Sequence, residues 1–352
     1  MRTEKQTDND KINNFSFLHW LGILLVIIGH QYILQGYPAP HILGIECSNL
    51  GLRILFVVSG YLVMESYKRT NNISKYILKR IIRIYPGLII STLGSAFLLG
   101  PAFTTLPFKD YFIECKKYII SNILLNPVFD LPGVFTDNIY PNSVNGSLWS
   151  LPIEVMCYFC IPIMVTIYSE AKKFNNKLST ALTFMFIIFL YIMYVLKERR
   201  WGALSYVLWG TDWLNAFSII IYFALGVAFS CVGKKTNLKL QWAVLMITIY
   251  MFMPGMLNVV LRPAIITYFI FALAFDYPPA LSSITEKLKC YYSVYLWAFP
   301  IQQALIQIIV IQRGKHVHPL IFFLETLVLV LPTAYFITRY IENPISKLLT
   351  PK

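Results

Sequence analysis

Two histidines, His19 and His30, stand in an otherwise apolar run from Phe15 to Leu34. In a helix of about 3.6 residues per turn their separation returns almost to the same face, and at about 1.5 Å per residue it places them roughly 16 Å apart along the axis. Imidazoles there can act as a base, a nucleophile or a proton relay near neutral pH. The plainer reading is that both rings are satisfied by backbone or water inside a packed bundle. A basic cluster follows, Lys79, Arg80 and Arg83 in SKYILKRIIRIYP. Arg80 and Arg83 are three residues apart and so neighbours on one helical face. Two planar guanidiniums at a helix end can hold a phosphate bidentately, although anchoring a helix to anionic lipid would account for them as well. The third group is a carboxylate, Glu154, in NGSLWSLPIEVMCYF.

These side chains need elements to position them, and composition decides which kind. The chain is 57% hydrophobic and 13% charged, with a mean hydropathy of +0.60. This is an all-α polytopic membrane protein, not a soluble globule. Ten apolar runs, near 15–34, 50–67, 84–104, 149–169, 178–196, 214–232, 240–255, 258–275, 291–311 and 319–341, predict about ten transmembrane helices. Between them they leave no room for a second soluble domain. The seventh and eighth runs are interrupted by Pro254, Gly255 and Arg262. Short tails, 1–14 and 342–352, flank a membrane domain over 15–341.

The net charge of +13 falls in short clusters between apolar runs, which argues against nucleic acid and for contact with anionic lipid. One alternate set of connections carries roughly twice the Lys and Arg of the other, so the positive-inside rule places both termini in the cytoplasm. Acidic residues in the N-terminal tail and the lack of a small-residue cleavage site argue for a retained first span. Cys47 and Cys115 fall in outer loops, where a disulfide is open to them. Cys157 and Cys160 form a C-x-x-C inside a span, with packing favoured over redox or metal chemistry. No metal site is expected.

Within this frame Glu154 and His30 come to similar depths, each roughly 8 Å below the outer surface of a hydrocarbon core about 30 Å thick. A carboxylate bonded to one imidazole nitrogen makes the other a better base, so a His30–Glu154 pair is expected if their spans adjoin. Arg53, one turn inside the second span, costs about 2.5–3.5 kcal/mol in a membrane unless it snorkels or faces a cavity. In the same span Ser59 and Gly60 permit close helix approach. In the long connection over 105–148, KYIISNILL reads as a surface or re-entrant helix. The connection KERRWGALSYVLWGTDW reads equally as an interfacial aromatic belt or a sugar-binding rim.

Taken in order, LHWLGILLVIIGH, GLRILFVVSGYL, LKRIIRIYP, SLWSLPIEVMCYF, FALG, YSVYLWAFP and YIENP resemble the acyltransferase-3 family of membrane acyltransferases over nearly the whole chain. The resemblance implies transfer of an acyl group, usually acetyl, from cytoplasmic acetyl-CoA or another acyl-CoA to a hydroxyl of an extracytoplasmic glycan, at the bacterial inner membrane. O-antigen of lipopolysaccharide, capsule or a lipid-linked oligosaccharide are the implied acceptors. It assigns catalysis to His30 and Glu154 and the CoA phosphates to Arg80 and Arg83, with Lys79 beside them. Trp149, Ser150, Tyr295 and Trp297, together with His19 and Arg53, become substrate-contacting or auxiliary positions. His30 would act either as a base or through a transient acyl-histidine. Two departures stand out: His19 replaces the arginine usual in the family's Arg-x10-His pattern, and Ala298 replaces a histidine after Trp297.

Two other function classes are compatible with intramembrane His and Arg: a transporter of a lipid-linked sugar or small anion, and a scaffold in polysaccharide export. Transporters commonly show repeats or paired broken helices, and none is visible. A scaffold has no need of a basic mouth together with an intramembrane His and Glu.

Overall fold

The computed structural model describes residues 14–232, 238–276, 278, 285 and 288–349. Among them nine helices are long and apolar enough to cross a membrane. They are α1 (Phe15–Leu34), α2 (Cys47–Thr70), α3 (Ile73–Phe103), α5 (Gly146–Phe174), α6 (Asn176–Trp201), α7 (Trp213–Val232), α9 (Gly255–Phe275), α10 (Tyr291–Gln312) and α11 (Pro319–Leu349). Two shorter helices lie between them, α4 (Phe108–Ile123) and α8 (Leu240–Met251). The all-α polytopic expectation holds.

The expected seventh span, 240–255, is the exception. Its helix α8 ends at Met251, because Pro254 cannot donate to a helix and Gly255 adopts a φ of +59°. At about 1.5 Å per residue it is roughly 18 Å long, short of a hydrocarbon core of about 30 Å. It still joins two levels of the bundle. At its start the Leu240 amide and Lys239 Nζ bond to Asp276, just past the end of α9. Near its end the Tyr250 hydroxyl lies 3.3 Å from the Leu43 carbonyl, in the loop between α1 and α2. The pair α8–α9 is thus a hairpin that leaves and regains one face. That face also carries the start of α1, since Asn14 Nδ2 donates to the Leu273 carbonyl on α9. Trp20 of α1 donates to the Leu288 carbonyl just before α10, and Ser293 on α10 donates to Glu342 towards the end of α11, so the described chain begins and ends on one side of the bundle, the terminal face; the opposite side is the loop face.

Helix α2 is the axis of the bundle: 78% of its apolar stretch is buried, against 17% for α6, which lies at the periphery. Small residues let its neighbours approach. Gly60 on α2 meets the backbone of Phe223 on α7, and Gly226 on α7 meets the backbone of Val57. Any Cβ at either position would collide with main chain, so the two helices cross at backbone contact.

The connection over 104–145 covers the loop face. Tyr111, Cys115 and Tyr118 lie buried on one stripe of α4 and pack with Ala96 of α3. A π-type turn at Ser95–Leu99 shifts the α3 hydrogen bonds, and the Tyr111 hydroxyl donates to the Ala96 carbonyl at 2.6 Å. The expected helix in KYIISNILL is thus the second half of α4. Two-residue hairpins, His41–Ile42 with Ile45–Glu46 and Val207–Leu208 with Thr211–Asp212, complete this face. All six cysteines are free; Cys47 and Cys115 are each buried, and no disulfide joins them.

Candidate active site

Five helices, α1, α2, α3, α5 and α10, enclose a cavity of about 280 Å³. Its lining runs from Arg69 and Ser66, near the terminal end of α2, inward to Ile23, Ser150 and Tyr295. Of the residues singled out from sequence, it gathers His19, Arg80, Arg83, Glu154, Ser150 and Tyr295.

The two arginines reach it from α3 because their three-residue spacing places them on one face. Each guanidinium is held by neutral groups. Arg80 Nη2 donates to Ser66 Oγ at 3.0 Å, and its plane lies near the rings of Tyr76 and Tyr158, 5.7 and 5.8 Å from their centroids. Arg83 Nη2 donates to the Tyr291 hydroxyl at 2.9 Å and lies 5.5 Å from that ring's centroid. Among the described residues neither has a carboxylate within ion-pair distance, and Arg80 Nε is buried with no partner. Tyrosine faces favour the cations but, unlike an ion-paired carboxylate, leave N–H groups open to a ligand. Two such donors at one end of a cavity form a ready anion site.

Glu154 projects from the first turns of α5 and accepts from the Tyr158 hydroxyl one helical turn further on. Ser59 Oγ lies 3.0 Å from that hydroxyl and 3.5 Å from the carboxylate. At the inner end Tyr295 donates to the Ser147 carbonyl at 3.0 Å, which leaves Ser150 Oγ, 2.8 Å away, to donate to Tyr295. His19 stacks on Tyr291 with centroids 4.6 Å apart, and its Nδ1 lies 2.8 Å from the Phe15 carbonyl.

The expected His30–Glu154 pair is not formed. His30 packs edge-on against Phe299 of α10 at 5.2 Å and lies outside the cavity lining. Similar depth supplies one coordinate only; the rotation of each helix supplies the others. Glu154 is turned toward Ser59 on α2, whereas His30 is turned toward α10. His30 nevertheless shares its face of α1 with His19 and Ile23, so it stands on the continuation of the cavity wall, about two turns or roughly 10 Å beyond Ile23.

Four other expectations are placed elsewhere. Lys79 is exposed and donates to Thr70 Oγ1 at 3.0 Å. Trp149 is half-buried against the main core. Trp297 is buried where Gly94 leaves room for its ring. Arg53 points away from Arg80 and Arg83, into a second polar cluster. There Glu198 accepts from Arg53 Nη2 at 2.6 Å and from Arg262 Nη1 at 2.8 Å, while Arg262 Nε donates to the Tyr250 hydroxyl at 2.9 Å. Arg53 thus lies outside the cavity that His19 lines.

Sequence reasoning passed over Tyr158, Ser66, Tyr291 and Tyr292 in the cavity wall. One of them carried a signal: Tyr158 is four residues after Glu154, hence on the same face. Ser59 also serves in the cavity, a role that packing alone did not suggest.

The acyltransferase-3 profile, described as an acyltransferase domain, matches residues 12–339. The chain belongs to this family. It is similar to an O-acetyl transferase of Shigella phage Sf6, with 25% identity over 314 residues, covering 84% of this chain and 86% of that protein. It is also similar to nodulation protein 10 of Rhizobium leguminosarum bv. viciae, with 25% identity over 169 residues and 46% of each chain covered. No solved structure matches. Family membership makes the chain a multi-pass membrane acyltransferase.

Proposed function

We propose that this protein transfers an acyl group, acetyl by preference, from cytoplasmic acyl-CoA to a hydroxyl of an extracytoplasmic glycan. Surface polysaccharide or a lipid-linked oligosaccharide is the acceptor, and the bacterial inner membrane is the setting. The observation that carries this reading is the pair Arg80 and Arg83, engaged in no ion pair among the described residues, at the terminal end of a cavity. The excess of basic residues on that face supports its being cytoplasmic. The residues there fit a phosphorylated donor: two guanidiniums with open N–H groups suit phosphate oxygens. Bound acyl-CoA would supply an activated thioester. The name of the phage relative, an O-acetyl transferase, supports acetyl.

In this reading Arg80 and Arg83 anchor the donor, and Glu154, held by Tyr158 and Ser59, lines its path. His30 takes the proton of the acceptor hydroxyl. Its ring receives no side-chain hydrogen bond among the described residues and is only partly buried, which leaves its nitrogens open to an acceptor arriving from the loop face.

The test is NMR of host surface polysaccharide from cells with the intact protein, without it, and with His30→Ala. Loss of O-acetyl signals in both the deletion and the variant supports the reading. Unchanged acetylation with a reduced amount of polysaccharide would replace it with transport or scaffolding.

A further inference from the structure

We propose that His19 is the hydrogen-bond acceptor of the donor pocket, selecting ligands that carry an N–H or O–H group on the chain beyond the diphosphate. This rests on the reading of Arg80 and Arg83 as the phosphate site. The Phe15 carbonyl can only accept, so the His19 nitrogen 2.8 Å from it, Nδ1, carries the ring proton. Nε2 is left as a lone pair. The stack on Tyr291, with 25° between the planes, and burial of all but 8% of the residue fix the ring. Nε2 has no protein partner among the described residues, although His19 forms part of the cavity wall.

Its surroundings decide what Nε2 can meet. Arg83, which donates to the hydroxyl of the same Tyr291, attracts phosphate oxygens. A lone pair repels them and can only address a donor group. In CoA the pantetheine arm supplies both kinds of donor next to the diphosphate, a hydroxyl and amide N–H groups. Adenosine 3′,5′-bisphosphate carries the nucleotide, the 3′-phosphate and the first 5′-phosphate but no arm, and the comparison is of each variant's CoA-to-bisphosphate ratio with that of wild type. His19 is on this account a specificity residue for the arm, and the arginines are the anchor for the phosphates.

The experiment measures equilibrium binding of CoA and of adenosine 3′,5′-bisphosphate to the purified full chain in detergent. In His19→Phe, which keeps a ring to stack but removes the acceptor, CoA affinity should fall about ten-fold, the effect of one well-placed hydrogen bond. Affinity for the bisphosphate should stay unchanged. His19→Gln restores an acceptor oxygen and should retain most of the preference for CoA. If His19→Phe does not fold, His19→Arg serves instead: it offers donors only and adds a cation, so the ratio of CoA to bisphosphate affinity should drop. An unchanged ratio, or equal weakening toward both ligands, overturns the proposal. A wild-type chain that binds neither ligand overturns the acyl-CoA reading and this one with it. If wild type binds CoA and the ratio survives in His19→Phe, only the His19 assignment falls.

Discussion

Two pairs of arginines belong to this bundle, one buried and one, the half-buried Arg80 with the exposed Arg83, at a cavity, and the protein treats them in opposite ways. Arg53 and Arg262 share one carboxylate, Glu198, with N–O distances of 2.6 and 2.8 Å, and are almost wholly buried. Arg80 and Arg83 are held only by hydroxyls and tyrosine faces and open onto a cavity. A buried cation without a counter-ion is costly. Where the fold supplies the counter-ion, the arginine clasps helices, here α2 to α6 and α9. Where the arginines stand at a cavity mouth with no ion pair among the described residues, they are open to a ligand.

The largest break in this contrast is Arg80→Ala combined with Arg83→Ala. Loss of two charge-assisted contacts should weaken CoA binding on the order of 10²–10⁴-fold while the thermal midpoint moves little. A variant that unfolds, or that binds CoA normally, would show that the cavity arginines are structural after all.

Glu198→Ala probes the other side. It strands two buried guanidiniums and should destabilise the bundle by about 3–5 kcal/mol, read as a lower thermal midpoint and less folded protein in the membrane. CoA affinity of the folded fraction should be unaltered. A normal melting curve with lost CoA binding would move the donor site to this cluster.

A subtler substitution sharpens the contrast. Arg83→Lys keeps the charge but loses the planar fork and should cost about ten-fold in CoA affinity, the loss of roughly one strong hydrogen bond. The equivalent Arg53→Lys should leave binding untouched. Equal effects at the two positions would erase the distinction.

The smallest effect is expected from Tyr158→Phe, which removes one hydroxyl from the Glu154 carboxylate. A loss of about 1 kcal/mol corresponds to roughly five-fold in kcat/KM for acyl transfer, with the fold intact. No change would mean that Ser59 alone is enough to hold Glu154.

Much of this was legible beforehand. Apolar runs with short basic connections determined a polytopic α-helical bundle, because a bilayer leaves few other ways to satisfy backbone groups. Three-residue spacing determined that Arg80 and Arg83 share a face, and eleven-residue spacing that His19 and His30 do, since helical geometry is local. Pro254 and Gly255 marked the break that shortens α8. What sequence could not decide was which faces meet. Depth in the membrane brought His30 and Glu154 level, yet helix rotation turned Glu154 to Ser59 and Tyr158 and turned His30 to Phe299. Arg53 was legible as a buried charge; that Glu198 and Arg262, far along the chain, complete its cluster was decided only by the packing of α2, α6 and α9. Local periodicity places a side chain on its own helix, and only tertiary contact between glycine-lined helices assigns it a partner.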